Sequence, residues 1–283
     1  MKNIHSDNSL IVVVTYNPND TISRLLDSLT AISNKVIVVD NGSANKSVIE
    51  ATCKSRGCKF LGCDNNNGIA GAINKGIRLG LSSEIDWIIT FDQDSLPPIN
   101  LLDYYNVVIA KESNVGLVGL SYDYTVSQGR IHEKVRYKKT YDQITSGLLH
   151  NAKMWKDIGG YNEQYFIDCV DFEYSLRVAS NGYDTFTIGN KVLQHSLGSP
   201  KTKRIFGVNV TSMNHNAFRH YYIVRNHIFL AKQYFKRFPF FILIKFYHLN
   251  NRLIKMLLID DDRMNKLRQS WRGWMDGVKT GVS

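Results

Sequence analysis

The strongest constraint on how this chain can fold is a pattern that recurs three times in its first 95 residues: a buried-type apolar run leading straight into a polar turn. Leu10 to Thr15 leads into Tyr16-Asn17-Pro18, Lys35 to Asp40 into Asn41-Gly42-Ser43, and Trp87 to Phe91 into Asp92-Gln93-Asp94-Ser95. Runs that do not alternate with polar residues predict strands covered on both faces. Between them, Ile22, Leu25, Leu26, Leu29 and Ile32 keep helical spacing, with Asp20 or Thr21 as the N-cap. A weaker strand is expected near Cys58 to Leu61, and Asn65-Asn66-Asn67-Gly68 opens a small-residue helix with Ala70, Ile73 and Ile77 on one face. Strands alternating with helices predict an α/β fold with a mostly parallel sheet and right-handed crossovers. Such sheets gather ligands beyond the carboxyl ends of their strands, where Thr15, Asp40 and Asp92 fall.

After Pro97-Pro98 the pattern changes to irregular strands and short helices. Ala152 to Ile158 reads as a helix stopped by Gly159-Gly160, and Asp171 to Ser180 as one ended by Gly182. From about Asn216 the chain is helical through Tyr234, breaks near Pro239 and resumes to about Ile259. Of the net charge of +10, residues 201–283 hold 16 Lys/Arg against 4 Asp, a net +12, leaving −2 for the rest. That excess implies an anionic partner for the last third, though no nucleic-acid reader motif is present. Lys245, His248, Arg252 and Lys255 form one helical stripe, beside Phe240, Phe241, Leu249, Leu253 and Leu257. The pair of stripes is expected to attach to an anionic membrane surface, or to lie on a packed or dimer-forming helix. Four cysteines without metal spacing, no signal peptide and no apolar stretch of membrane-spanning length point to a cytoplasmic protein.

Asp92-x-Asp94 is the sharpest chemical signal. Two carboxylates just past a buried strand suit a hard divalent cation, Mg²⁺ or Mn²⁺, shared with diphosphate oxygens, although the same spacing also makes an ordinary solvated turn. Asp40 could accept the N3–H of uracil or thymine, which cytosine lacks, with Thr15 completing the pocket; alternatively it holds an Asx-turn. Asn66, Asn67 and Gly68 open a helix whose N–H groups suit an anion, or simply pack that helix closely on the sheet. Asp168, Asp171 and Glu173 crowd a helix start, as acids favoured by the helix dipole or as a source of a general base. His195, after a short apolar strand, is either a buried histidine or a third metal ligand.

Several segments, in order, resemble the family 2 glycosyltransferases of GT-A fold: Val-Val-Thr-Tyr-Asn (13–17), Val-Val-Asp-Asn-Gly-Ser (38–43), Asn-Asn-Gly-Ile-Ala (66–70) and Phe-Asp-Gln-Asp-Ser (91–95). Gly-Gly-Tyr-Asn-Glu (159–163), Asp-x-x-Asp-x-Glu (168–173) and Leu-Gln-His-Ser-Leu-Gly (193–198) extend the likeness. Tyr-Tyr-x-x-Arg-Asn (221–226) and Trp-Met-Asp-Gly (274–277) are similar to the bacterial rhamnosyltransferases of surface-polysaccharide assembly.

The resemblance implies a catalytic domain over 1–205, with a Rossmann-like nucleotide-sugar half (1–98) and a mixed acceptor half (99–205), followed by a basic helical region (206–283). It implies an inverting, metal-dependent transferase using a dTDP- or UDP-sugar, dTDP-L-rhamnose above all, and a lipid-diphosphate-linked saccharide acceptor. Thr15, Tyr16, Asn17, Asp40, Asn67, Gly68, Asp92, Gln93 and Asp94 would then contact the donor. Asp92, Asp94 and His195 would hold the metal and Asp171 would be the base, with Asp168 and Glu173 as rivals. Gln269-x-x-Arg272 resembles a motif of processive synthases, but its tryptophan is displaced to Trp274.

Overall fold

The computed structural model of the chain describes residues 1–123, 134–195, 200–205 and 207–281, and the side chains of all of these except Asp123, Lys191, Val192 and His195. The chain folds into two compact units: Met1–Glu163 with Asp171–Ser196, and Gln164–Val170 with Leu197–Ser283.

The first unit opens with the predicted strands and helices, plus one helix, over Lys46–Lys54, that the sequence pattern did not announce. Strand β1 (Ser9–Thr15), helix α1 (Thr21–Thr30), β2 (Val36–Asp40), α2 (Lys46–Lys54), β3 (Lys59–Gly62), α3 (Gly68–Gly80) and β4 (Trp87–Asp92) follow in turn. β1 lies between β2 and β4, with β3 outside β2, and all these pairings are parallel. Leu10, Ile11, Val12 and Val13 of β1 have no solvent exposure, because helices cover both faces of the sheet. Gly76 explains why α3 is rich in small residues. A Cβ there would come within 2.5 Å of Val12 and 2.8 Å of Val39, so the helix lies directly on β1 and β2.

The second half of this unit is antiparallel and mixed, built from β5 (Ser95–Leu96), α4 (Leu101–Ile109), β6 (Val115–Asp123), β7 (Tyr137–Lys139), β8 (Leu148–Asn151), α5 (Ala152–Ile158), α6 (Val170–Ser180) and β9 (Asp184–His195). β8 pairs antiparallel with both β4 and β6, β6 runs parallel to β9, and β5 and β7 pair antiparallel with β9. The strand order is therefore β3-β2-β1-β4-β8-β6-β9-β5, with β7 on β9. This is the α/β architecture expected, and Gly159 and Gly182 end α5 and α6 in positive-φ conformations (82° and 86°).

Two helix starts differ from expectation. Asp20 stands at the N-cap of α1 but its side chain caps nothing; Asn19 Oδ1 instead accepts from the Thr21 N–H at 3.2 Å. At α3 the N–H groups of Asn67 and Gly68 are taken by Asn41 Oδ1 and Asn66 Oδ1, both at 2.9 Å. Those two donors are thus spent on side-chain carbonyls.

The second unit holds a hairpin, β10 (Lys201–Ile205) with β11 (Val208–Ser212), and helices α7 (Ala217–Tyr234), α8 (Pro239–Ile259) and α9 (Arg263–Lys279). Asn216 caps α7 by accepting from the Arg219 N–H at 2.9 Å, and Pro239 occupies the first turn of α8, where its missing N–H costs nothing. α9, whose bounds sequence periodicity did not announce, packs on α7 through Gly273: a Cβ there would meet Tyr221 O at 2.2 Å.

The basic stripe of α8 is divided: Lys245 is buried with its ammonium over the Phe241 ring and Arg252 faces Asp168 at 3.8 Å, whereas His248 and Lys255 are exposed. The expected apolar stripe is divided as well, with Leu249 packed on Ile223 and Val224 while Phe240 and Leu257 are exposed beside Leu243, Ile244, Tyr247, Ile254 and Leu258. Among the described residues no helix is long and apolar enough to cross a membrane.

Candidate active site

The parallel register sets the site. Thr15 pairs with Asp40 across β1–β2, and Val14 pairs with Asp92 across β1–β4, so the three polar turns emerge side by side at one edge of the sheet. Side chains then bind the turns together. Gln93 Oε1 accepts from the Tyr16 N–H at 2.7 Å, while its Nε2 donates to Tyr16 O at 3.2 Å. Asn17 adopts a left-handed backbone (φ 45°), donates its N–H to Ser43 Oγ at 2.7 Å and accepts from the Ala44 N–H at 2.9 Å. Asparagine tolerates that conformation better than most residues.

Asp40 is wholly buried. Oδ2 accepts from the Ser43 N–H at 3.0 Å; Oδ1 accepts from Ser43 Oγ and from Thr15 Oγ1, the latter at 3.3 Å. The carboxylate holds the turn that follows it, reaching the N–H three residues on rather than the two of an Asx-turn, and three of its roughly four acceptor positions are taken. Gly42, at φ 90°, lets this turn press against the Asn65–Asn66 backbone, where a Cβ would sit 2.9 Å from Asn65 C. Asn41 completes the connection by donating to Asn66 Oδ1 at 2.9 Å and Gly68 O at 3.1 Å. Thr15, Tyr16, Asn17, Asp40, Asn67, Gly68 and Gln93 thus belong to one hydrogen-bonded set of loops.

Asp92 is half-buried at the end of β4 and Asp94 is exposed two residues on. The Asp92 N–H donates to Ser146 Oγ at 3.1 Å, Ser146 Oγ donates to Ser95 Oγ at 2.6 Å, and Thr145 Oγ1 donates to Asp92 Oδ1 at 3.4 Å. Thr145 and Ser146 were not singled out in the sequence; they arrive across the β4–β8 pairing from more than fifty residues away. Among the described residues no three His, Cys, Asp or Glu side chains converge as a metal cage. An Asp92–Asp94 pair of hard oxygens still fits a cation such as Mg²⁺, which is bound by one or two carboxylates plus substrate phosphates rather than by an all-protein cage. The His195 backbone pairs with Ser95, next to Asp94; its side chain lies outside the described residues.

The three acids near α6 have separate situations. Glu173 is buried and its two oxygens accept from Arg177 at 2.9 and 3.2 Å, while the same guanidinium donates to Ile158 O and Gly160 O. Asp168 belongs to the C-terminal unit and takes Arg219 in two bonds of 2.9 and 3.2 Å. Burial alone would raise its carboxyl, but Arg219, with Arg252 and His215 behind it, holds it below the usual carboxylate range. Asp171 lies in the first turn of α6, half-buried, with Oδ1 accepting from the Phe172 N–H at 2.9 Å. Its charge and that of Asp92 both reach the buried phenol of Tyr161, which burial already pushes well above its ordinary value. Tyr161 is fixed by Asn74, which exchanges two 2.8 Å bonds with its backbone, by His150 Nε2 at 2.6 Å from its hydroxyl, and by stacking on Tyr174 at 4.3 Å.

A mixed sheet whose first four strands are parallel, with linked turns at their carboxyl edge and a carboxylate pair beyond β4, is the architecture of the GT-A fold. Residues 10–163 match glycosyl transferase family 2, more than half of the chain, and the protein belongs to that family; it is a glycosyltransferase. It is similar to the dTDP-rhamnosyl transferase RfbF of Shigella flexneri, at 28% identity over 244 residues and 81% of each chain. Among solved structures it shares the fold of mannosyltransferase PcManGT from Pyrobaculum calidifontis, determined with GDP-Man and Mn²⁺ (TM-score 0.58, 16% identity, 99% of this chain and 77% of that one). It also shares the fold of S. aureus TarS (TM-score 0.54, 13% identity, 95% of this chain), of which it spans 43%.

Proposed function

We propose that the protein transfers L-rhamnose from dTDP-L-rhamnose to a hydroxyl of a lipid-diphosphate-linked saccharide, with inversion at the anomeric carbon, in the assembly of a bacterial surface polysaccharide such as O-antigen. The observation that supports a donor site is the two-ended bond from Gln93 to Tyr16, which ties the Asp92–Asp94 turn to the turn after Thr15. The rhamnosyl donor is supported by the likeness to RfbF over most of both chains. A uridine carrier is the second reading, because uracil and thymine share the N3–H that Asp40 is proposed to accept.

Asp92 and Asp94 would hold Mg²⁺ or Mn²⁺ against the diphosphate, supplying the counter-charge where negative charge develops on the leaving group. Asp171 takes the proton of the acceptor hydroxyl as its oxygen bonds to the anomeric carbon and the bond to the nucleoside diphosphate breaks. Asp171 is the position the family resemblance favours; Asp168 is a poorer proton acceptor because Arg219 holds it below the usual carboxylate range, and Glu173 spends both oxygens on Arg177. His195 is proposed as a further metal ligand. The exposed apolar line of α8 and the basic surplus of the C-terminal region support peripheral attachment to the inner face of the cytoplasmic membrane, with a second copy of the chain as the competing occupant.

A nucleotide-sugar panel tests the core of this reading, scoring nucleoside diphosphate release with a lipid-linked acceptor, with and without chelator. The dTDP-rhamnose lane should lead, and Mg²⁺ or Mn²⁺ should restore activity after chelation. Preference for a guanosine or cytidine donor, or full turnover in excess chelator, would overturn it.

A further inference from the structure

The C-terminal unit carries a cleft that the donor platform does not use. α7 and α9 form an open cleft of about 380 Å³, within the range of small-molecule sites, lined by Ala217, Phe218, Tyr221, Tyr222, Asn265, Gln269 and Arg272. Asn265, Gln269 and Arg272 stand at i, i+4 and i+7 on α9, one stripe facing the aromatic turn of α7.

Phe218 is 57% exposed, yet it is braced rather than loose. Phe166 meets it edge-on at 5.9 Å and Tyr222 at 5.0 Å, and Tyr222 is itself held between Phe166, stacked at 4.9 Å, and the Arg225 guanidinium at 4.6 Å. Tyr221 is fixed by donating its hydroxyl to Asp276 at 2.9 Å. Opposite this shelf, Gln269 and Arg272 make no side-chain hydrogen bond or ion pair among the described residues, so their donors and acceptors face the cleft unspent.

We propose that this cleft binds the saccharide of the acceptor, an inference that rests on the transferase reading above. A pyranose presents an apolar C–H face, which suits an open aromatic ring, and a rim of hydroxyls that both donate and accept, which suits amide and guanidinium groups. A cation is disfavoured because no carboxylate is among the described residues that line the cleft. A lipid tail is disfavoured because Ala217 is the sole aliphatic residue among them.

Saturation-transfer NMR on the full chain tests the site, with methyl glycosides of rhamnose, glucose, galactose and N-acetylglucosamine as probes. TDP and UDP are titrated into the same samples. At least one glycoside should receive saturation, and Phe218→Ala should weaken it by up to about tenfold. The double variant Gln269→Ala/Arg272→Ala should weaken it at least as much, and it guards against a folding defect because neither side chain bonds a described residue. Transfer to none of the four glycosides, or unchanged affinity in both variants, would overturn the site. Failure of the unmodified chain to bind TDP or UDP would instead strike at the transferase reading.

Discussion

Gln93 grips Tyr16 at both backbone atoms, accepting from its N–H at 2.7 Å and donating to its carbonyl at 3.2 Å. Its position between Asp92 and Asp94 means that the residue inside the carboxylate pair also sets the distance to the loop after β1. Gln93→Ala should loosen that setting and raise the donor KM by up to about tenfold, the scale of one or two ordinary hydrogen bonds. Because the contact is on the surface, Tm should change little. Steady-state kinetics with varied donor, beside a melting curve, checks both; an unaltered KM would show that the platform does not need the link.

Asp40 separates two readings by experiment. Asp40→Asn places an amide where Ser43 and Thr15 now donate, so stability should fall by roughly 1–3 kcal/mol. If Asp40 also reads the base, the preference for TDP and UDP over CDP should shrink in the same variant. A stability loss with unchanged nucleotide preference would leave Asp40 only its turn-holding role.

The base assignment divides Asp171 from Asp168. Asp171→Asn should keep donor binding while lowering turnover by roughly 10²–10⁴-fold, the usual range for a general base. Asp168→Asn should instead act on stability, by roughly 1–3 kcal/mol, less than a fully buried pair because Arg219 is partly exposed. The Asp168 carboxyl is held low, so its contribution is present above the usual carboxylate pKa and disappears only as pH falls through the lower folded value. Near-normal turnover in Asp171→Asn with collapse in Asp168→Asn would move the base, and a product with retained configuration would overturn the mechanism.

Acid should destabilise the fold earlier than its carboxylates alone would dictate. Burial lowers His150, His215, His220 and His227 from 6.5 to about 4 each. A histidine held neutral stabilises the fold above its unfolded pKa and loses that contribution as pH falls from about 6.5 towards 4. Melting temperature should decline across that window, and His150→Gln should flatten the decline. A flat profile from pH 7 to 4.5 would contradict it.

Membrane attachment should be sought on the exposed apolar line of α8 together with the exposed His248 and Lys255. Flotation with anionic vesicles should recover the protein at low salt, and Leu243→Ser/Tyr247→Ser should release it. Recovery that is insensitive to that double variant, or no recovery at low salt, would defeat the proposal.

The parallel half of the fold and the position of its polar turns were legible because each is a local matter. A strand covered on both faces must be apolar throughout, and the residue that ends it must be polar, so Leu10–Thr15 and Trp87–Asp92 announce both the strand and the site residue. The antiparallel half was not legible: β9 mixes Asp184, Thr185, Gly189, Asn190 and Lys191 with its apolar residues, and its register depends on partners far along the chain. Nor could local pattern tell Asp168 from Asp171. Both satisfy a helix start, and only tertiary packing brings Arg219 to Asp168, whereas the Glu173–Arg177 pair is an i,i+4 contact that the sequence itself carries. The bounds of α9 were not legible within the helical region expected over 206–283, since its buried face, Lys266, Ser270, Gly273 and Gly277, carries no apolar side chain to mark the period. What the sequence determined by itself is the chemistry carried at strand ends; that Asp168 is neutralised, and which aromatic rings stand open, was decided by long-range packing that no single segment encodes.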